Sequence, residues 1–283
     1  MIWIILVLIG TIFYSVTILL QREFLKGKES NSFAYSIFFL LSISFLIAIY
    51  ALITGFRVPA ISPLTPNLVL MVALYALANL ALYKGLKITD ASQTSILSSS
   101  KSIWTMLAAI IFIGEPIRLW RIVGMILIIL GIVVISLQKG EKRFHKGHIL
   151  ILVSAILFGL AFTNDAFLLK NFEAIPYSVI AFGLPGLMLL LTRPKSIKEM
   201  KFFFDKKRIL KVLAVSVLYA IASVMIYLSY RLGGDASQIM PITQFSSILV
   251  VILGYVFLKE RDIMFRKTIG SILALAGVFL LVS

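Results

Sequence analysis

Long apolar segments recur from one end of the 283-residue chain to the other. Roughly 20 apolar residues in a helix are enough to cross the hydrocarbon core of a bilayer. Ten segments of about this length predict an all-α membrane protein with ten transmembrane helices. Their approximate ranges are 1–20, 32–54, 67–84, 91–113, 119–137, 148–169, 177–192, 210–230, 236–258 and 267–283, the seventh being short and broken by Pro185.

The composition supports a membrane protein. Hydrophobic residues make up 60% of the chain and charged residues 14%, whereas a soluble domain is about half apolar and a quarter charged. The first segment starts apolar at Ile2 with no basic region before it, so we expect a span and not a cleaved signal peptide. The absence of cysteine excludes disulfides and thiolate-bound metals.

The same sequence pattern occurs twice. Asp-Ala-Ser-Gln stands at 90–93 and again at 235–238, and the similarity continues forward to Glu115 and Glu260. In the backward direction, LYALANLALY before the first copy corresponds to LYAIASVMIY before the second. Three consecutive spans therefore match in register.

This internal similarity predicts two homologous halves, 1–137 and 148–283, joined by a basic loop at 138–147 within one integrated membrane domain. Because each half has an odd number of spans, the halves enter the membrane in opposite directions. Inverted repeats of this kind are the way many secondary transporters build a site near the bilayer midplane.

The repeated features resemble the EamA-type branch of the drug/metabolite transporter superfamily. They are the Ala-Ser-Gln start of the fourth and ninth spans, their ends at Gly114-Glu115 and Lys259-Glu260, and the G-x-I-L-x-x-x-G pattern of the final helix of each half. The resemblance implies a ten-helix fold and carrier-type movement of small metabolites, often amino acids, sugars or drugs.

The predicted function is secondary transport of a small organic metabolite, an amino acid or small organic anion, by alternating access. A membrane channel, or a lipid or drug flippase of the same fold, is the alternative. We find no phosphate-binding loop, no metalloprotease motif and no paired carboxylates, so we expect neither an enzyme nor a cofactor or metal. His145 and His148 share one charged loop, where solvation is expected in preference to metal binding.

Two charged residues lie well inside predicted spans, Lys101 in the fourth and Asp165 in the sixth. Charges at bilayer depth are costly and usually face a cavity or a partner. Both are therefore candidates for handling substrate or a proton, with Ser98 on the same helix face as Lys101 and Asn164 beside Asp165. The alternative is a structural ion pair between the two helices.

A second set of candidates forms equivalent stripes in the two halves. Residues four apart share one face of a helix, and each stripe suits a cavity wall with an apolar body and a few hydroxyl or amide groups. The candidates are Tyr75, Asn79 and Tyr83 in the third span, Tyr219, Ser223 and Tyr227 in the eighth, and Gln244 in the ninth.

Other repeated residues have structural interpretations. Asp90 and Asp235 precede helix starts and are predicted to cap them. Gly124 and Gly131, with their equivalents Gly270 and Gly277, are predicted to form a packing face that allows close helix approach.

The distribution of basic residues predicts the orientation. Most of the 27 lysines and arginines lie in the loops that follow the odd-numbered spans, and such loops are usually cytoplasmic. Both termini should therefore be extracytoplasmic, in the inner (plasma) membrane. The net charge of +15 fits anionic lipids and requires no nucleic-acid partner. The expected partners are a small-molecule substrate, membrane lipids and a coupling proton or counter-substrate, with the protein a monomer or weak dimer.

The orientation can be tested with a reporter protein fused after Ser283. We expect a periplasm-active enzyme to be active there and a fluorescent protein that matures only in the cytoplasm to stay dark. A fluorescent fusion would contradict the orientation, and a matched fusion in the 193–209 loop should give the opposite result.

Overall fold

The computed structural model describes residues 2–25, 27, 29–113, 119–136, 145–232, 236–259 and 264–282. These residues form helices and connecting turns without any strand. The helices are α1 (Ile2–Leu25), α2 (Ser32–Thr54), α3 (Thr65–Ile88), α4 (Ala91–Ser98), α5 (Lys101–Ala108), α6 (Leu119–Ser136), α7 (Lys146–Leu168), α8 (Ala174–Thr192), α9 (Ser196–Met200), α10 (Lys206–Arg231), α11 (Ala236–Phe257) and α12 (Met264–Val282).

Each predicted span coincides with a helix, the fourth being divided into α4 and α5. Seven helical segments within the described ranges are long and apolar enough to cross a membrane, and α6 and α11 contain the shorter apolar segments Ile122–Gly131 and Phe245–Phe257. The chain is thus a helical membrane protein, whereas the inverted ten-helix topology stays a prediction. Of the basic connecting loop, 138–144 lies outside the described residues.

The most extensive helix contacts join the two predicted halves. They pair α6 with α12, α3 with α7, α1 with α10 and α2 with α8, while α4 also packs on α11. In the predicted repeat, the first span (α1) corresponds to the sixth (α7), and the eighth (α10) corresponds to the third (α3). The contact of α1 with α10 is therefore equivalent to the contact of α7 with α3. A pseudo-two-fold axis between the halves would produce this pattern.

The glycine packing face is confirmed at the contact of α6 with α12. A methyl group added to Gly277 would lie 2.5 Å from the Gly124 carbonyl oxygen, and one added to Gly131 would lie 2.7 Å from that of Gly270. Glycine thus allows the two helix backbones to touch.

The fourth span differs from the continuous helix predicted over 91–113. Around Ser99 and Ser100 the backbone changes to tighter bonds between residues three apart, such as Ser102 N–H to Ser99 O at 3.2 Å. The Ser100 hydroxyl also donates to the Leu97 carbonyl at 2.8 Å. Serine hydroxyls that bond backbone carbonyls compete with the helix, and a π-helical turn follows at Ala109–Ile113.

Two further details of the prediction are wrong. Pro185 does not break the seventh span, because α8 continues through it, as membrane helices permit when neighbouring groups satisfy the backbone. Asp90 occupies the N-cap position of α4, but its side chain makes no capping hydrogen bond. Its carboxylate instead accepts from the fully buried Lys267 at 3.0 Å, with Arg22 at 4.0 Å. Asp235 lies outside the described residues.

Backbone contact between α6 and α12 predicts that Gly277→Ala destabilises the protein by about 1–3 kcal/mol, since the added methyl overpacks the contact. Thermal unfolding in detergent would measure the loss. Gly27→Ala is the control, because nothing lies within 4 Å of that position. Equal melting temperatures for the two variants would contradict the close approach.

Candidate functional site

A central cavity lies between the two predicted halves, with walls from α1, α3, α4, α5, α7, α8, α10 and α11. Its volume is about 120 Å³, and since one water needs roughly 10–15 Å³ on this measure, a small molecule fits. Nine of the sequence-predicted site residues line it. They are Tyr75, Asn79, Tyr83, Ser98, Lys101, Asp165, Tyr219, Ser223 and Tyr227.

Lys101 is the first residue of α5, immediately after the irregular Ser99–Ser100 turn. Its ammonium nitrogen lies 5.6 Å from the centre of the Tyr14 ring and 5.5 Å from that of Phe162. These distances allow cation–π attraction. Within the described residues it forms neither an ion pair nor a hydrogen bond to Ser98, so aromatic faces supply its main contacts.

Asp165 lies on α7 at the cavity wall and is 4% exposed. Its carboxylate accepts hydrogen bonds from the hydroxyls of Tyr75 on α3 and Tyr177 on α8, one on each oxygen. Tyr227 and Tyr230 of α10 line the same cavity as this carboxylate. The cluster thus joins the two predicted halves through hydrogen bonds to one carboxylate.

The two charges therefore share a cavity without pairing. The structural ion pair considered between Lys101 and Asp165 is wrong for this conformation, because no such contact exists between these two described residues. Each charge instead has its own set of aromatic neighbours.

The tyrosine stripes of α3 and α10 face each other across the cavity, with their short polar residues turned back to the helix. Asn79 donates to the Tyr75 carbonyl at 2.8 Å, and Ser223 donates to that of Tyr219 at 2.9 Å. Tyr219 packs against Tyr14 with ring centres 5.8 Å apart. Much of the wall is therefore aromatic, with hydroxyl groups on its surface.

One described candidate, Asn164, does not belong to this wall. Asn164 faces away and bonds Asn67 reciprocally: its carbonyl oxygen accepts from the Asn67 amide at 2.7 Å, and its amide donates to the Asn67 backbone at 2.9 Å. The reason is that adjacent helix positions point about 100° apart, so Asn164 and Asp165 cannot face the same way. The side chain of Gln244 lies outside the described part of the structure.

Sequence reasoning missed several wall residues. Tyr14 and Gln21 are seven apart, which puts them on one face of α1, and this spacing could have identified them. Tyr177 of α8 bonds Asp165 from outside the cavity lining and had no such signal. The other wall residues that were missed include Ser95, Phe158, Phe162, Phe182, Thr243 and Ser246.

Comparison with known proteins adds the family. The sequence model of the EamA-like transporter family matches residues 1–137 and 145–283. The chain belongs to the EamA-like transporter family. It is therefore a multi-pass membrane transporter. Membership of this family implies a small-molecule substrate and contact with membrane lipids, and it supports transport as the role of the protein.

Two similar proteins agree with this assignment. An uncharacterized transporter of Archaeoglobus fulgidus is 23% identical over 212 residues, which cover 73% of this EamA-like chain and 72% of the relative. A crystal structure of another protein superposes with a TM-score of 0.69 at 14% identity, covering 97% of this chain and 95% of the other. At that identity the match shows a shared fold and nothing about substrate.

The hydrogen bonds of Asp165 predict that Tyr177→Phe destabilises this transporter by about 1.5–3 kcal/mol, the range for a bond to a charged group. Tyr35→Phe is the matched control, because the buried Tyr35 hydroxyl has no partner within hydrogen-bond distance in the described structure. Melting temperatures in detergent should fall for the first variant only. A larger loss at Tyr35 would contradict the assigned bonding.

Proposed function

We propose that this EamA-like transporter moves a small organic metabolite that carries an anionic group, either an amino acid or a small organic acid. The observation that carries the proposal is the Lys101 ammonium on the cavity wall without a carboxylate partner in the described structure. An anionic group of the substrate would complete this site.

The unpaired charge of Lys101 is energetically costly inside the membrane. A lysine at the centre of a membrane helix costs about 2.5–3.5 kcal/mol, and two cation–π contacts return only part of that. An anionic ligand at Lys101 removes the unpaired charge from the low-dielectric interior. A cationic ligand would increase the cost, because like charges repel more strongly where water is scarce.

The rest of the cavity supports a compact apolar or aromatic substrate body. Phe158 and Phe162 of α7 stack with ring centres 6.0 Å apart, and Phe182 packs edge-on against Tyr219 at 5.8 Å. Binding sites for small molecules are mostly apolar with a few placed polar groups. The polar groups would come from Tyr75, Asn79, Tyr83, Ser98, Ser223, Tyr227 and Asp165. Asn164 would contribute from outside the cavity, through its hydrogen bonds to Asn67.

Alternating access is the proposed mechanism. Its support is the family match to two ranges of the chain and the pairing of helices between the predicted halves. In an inverted repeat, one half rocks against the other around a central site. The irregular turn at Ser99–Ser100 gives the fourth span a flexible point beside Lys101, and such interruptions often mark functional hinges.

The proposal includes the location, oligomeric state and orientation of the protein. The protein would work in the inner (plasma) membrane as a monomer or weak dimer, with both termini extracytoplasmic and 1–137 and 148–283 as its two repeats.

Ligand-dependent stability of the purified transporter tests the substrate class. A metabolite library is screened first by thermal shift, followed by hydrocinnamate, a phenyl ring with a carboxylate, and phenethylamine, a phenyl ring with an ammonium. Carboxylates should stabilise the protein and phenethylamine should not, because only the carboxylates can pair with the Lys101 ammonium. A bound ligand at about 100 times its Kd raises the free energy of unfolding by about 2.7 kcal/mol.

Substitution of Lys101 then locates the site. Lys101→Met should remove the carboxylate response without unfolding the protein, and Lys101→Arg should restore it in part, because a guanidinium is larger and planar. Lys84→Met, at an exposed lysine outside the cavity, is the control. An unchanged carboxylate response in a well-folded Lys101→Met protein would refute the proposal.

A further inference from the structure

Among the described cavity residues, Asp165 carries the charge that the proposed anion site does not neutralise. It is nearly inaccessible, and it has no cationic partner within the described residues. Its carboxylate would also repel an anionic substrate held at Lys101. A transporter that retains such a charge needs a way to neutralise it.

The groups that face Asp165 come from several helices. They are Tyr75 on α3, Tyr177 on α8 and Tyr227 and Tyr230 on α10, with Lys101 of α5 on the wall of the same cavity. The four tyrosine side chains are all phenols. A phenol can donate a hydrogen bond to a carboxylate and can accept one from a carboxylic acid.

The geometry disfavours a substrate ammonium at this carboxylate. Each oxygen already accepts from a tyrosine, and the side chain is only 4% exposed. An ammonium group needs space and three acceptors, and the phenols leave little room for it. A proton needs little space, and Tyr75, which bonds the carboxylate, also lines the cavity.

We propose that Asp165, with its surrounding tyrosines, is the binding site of a proton that is taken up together with the anionic substrate. This inference rests on the proposed function, because it presupposes an anion at Lys101. The coupling is symport: a monoanionic substrate and one proton would cross the membrane with no net charge, whereas a zwitterionic amino acid and one proton would carry one positive charge.

The proton-binding step changes the hydrogen bonds around the site. A proton adds to one carboxylate oxygen and forms an O–H bond, which then donates to a tyrosine oxygen. The tyrosine that had donated to that oxygen must turn its own hydroxyl elsewhere. If that tyrosine is Tyr75, its hydroxyl becomes available to the substrate in the cavity. Protonation thus removes a repulsive charge and frees a hydrogen-bond donor together.

Infrared difference spectroscopy on the purified full chain tests proton binding without any substrate. Between about pH 5 and pH 8, wild-type protein should show a protonated-carboxyl band that disappears as the pH rises. Asp165→Asn should lack the band, and Asp165→Glu should retain a titrating band at a changed frequency. Asp205→Asn, the same substitution at an exposed carboxylate outside the cavity, should leave it unchanged. A band absent throughout that range, or one unaffected by Asp165→Asn, would overturn the proposal.

The pH dependence of hydrocinnamate binding tests the coupling. Uptake of one proton on binding makes Kd rise by up to about tenfold per pH unit above the protonation midpoint of Asp165. Asp165→Asn should bind hydrocinnamate with a nearly constant Kd. If the slope persists in Asp165→Asn, the titrating group is Lys101 or another residue, and the proposal is wrong.

Phenylalanine is hydrocinnamate with an added ammonium group. Comparing the two ligands therefore shows whether Asp165 binds a proton or the ammonium group of a substrate. Weaker binding of phenylalanine alone in Asp165→Asn would place the ammonium at Asp165 and overturn the proposal. Equal behaviour of the two ligands supports it.

If the proposed anion site is wrong, the binding and infrared experiments give different answers. If neither carboxylate ligand binds in a Lys101-dependent manner, the anion site is wrong, while the infrared band still reports whether Asp165 takes up a proton.

Discussion

The interior of a bilayer offers the backbone no water to bond, so each transmembrane segment must satisfy its own amide groups. This constraint makes the described chain helical and limits what can hold the helices together. Lipid tails are as apolar as leucine, so burial of apolar side chains does not drive helix association as it does in water. Close packing at Gly124 and Gly277, where helix backbones touch, and hydrogen bonds between helices have to supply specificity.

The same scarcity of water makes each buried charge expensive and gives the cavity its character. Lys101 is held by aromatic faces, and Asp165 by the hydroxyls of Tyr75 and Tyr177. Pairing the two charges would stabilise each but would leave nothing for a substrate or a proton to complete. Aromatic neighbours are a compromise, since they moderate the cost of a charge without neutralising it.

Contacts between the predicted halves lie near both ends of α3. Asn67, near the start of α3, bonds Asn164 of α7, while Asp90, just after the end of α3, bonds Lys267 of α12. Removing one partner of either contact would leave a polar group unpaired, which is costly. The two contacts therefore hold α3 to helices of the other predicted half near each of its ends.

The sequence alone determined the helical membrane class, the approximate positions of the apolar helices and nine residues of the cavity wall. Apolar run length is a direct consequence of bilayer thickness, and the spacing of Tyr75, Asn79 and Tyr83 fixes a helix face by itself. The repeat also predicts which helices correspond between 1–137 and 148–283, and the packing of α3 with α7 and of α1 with α10 is the pattern that such a correspondence would give.

Only the tertiary structure decided which partner each polar group meets. It separated Asn164 from Asp165, replaced the expected cap at Asp90 with an ion pair to Lys267, and brought Tyr177 of α8 to the Asp165 carboxylate. Helix periodicity reports the direction of a side chain relative to its own axis. Which neighbour lies in that direction depends on how residues distant in sequence pack, and that is a property of the assembled bundle.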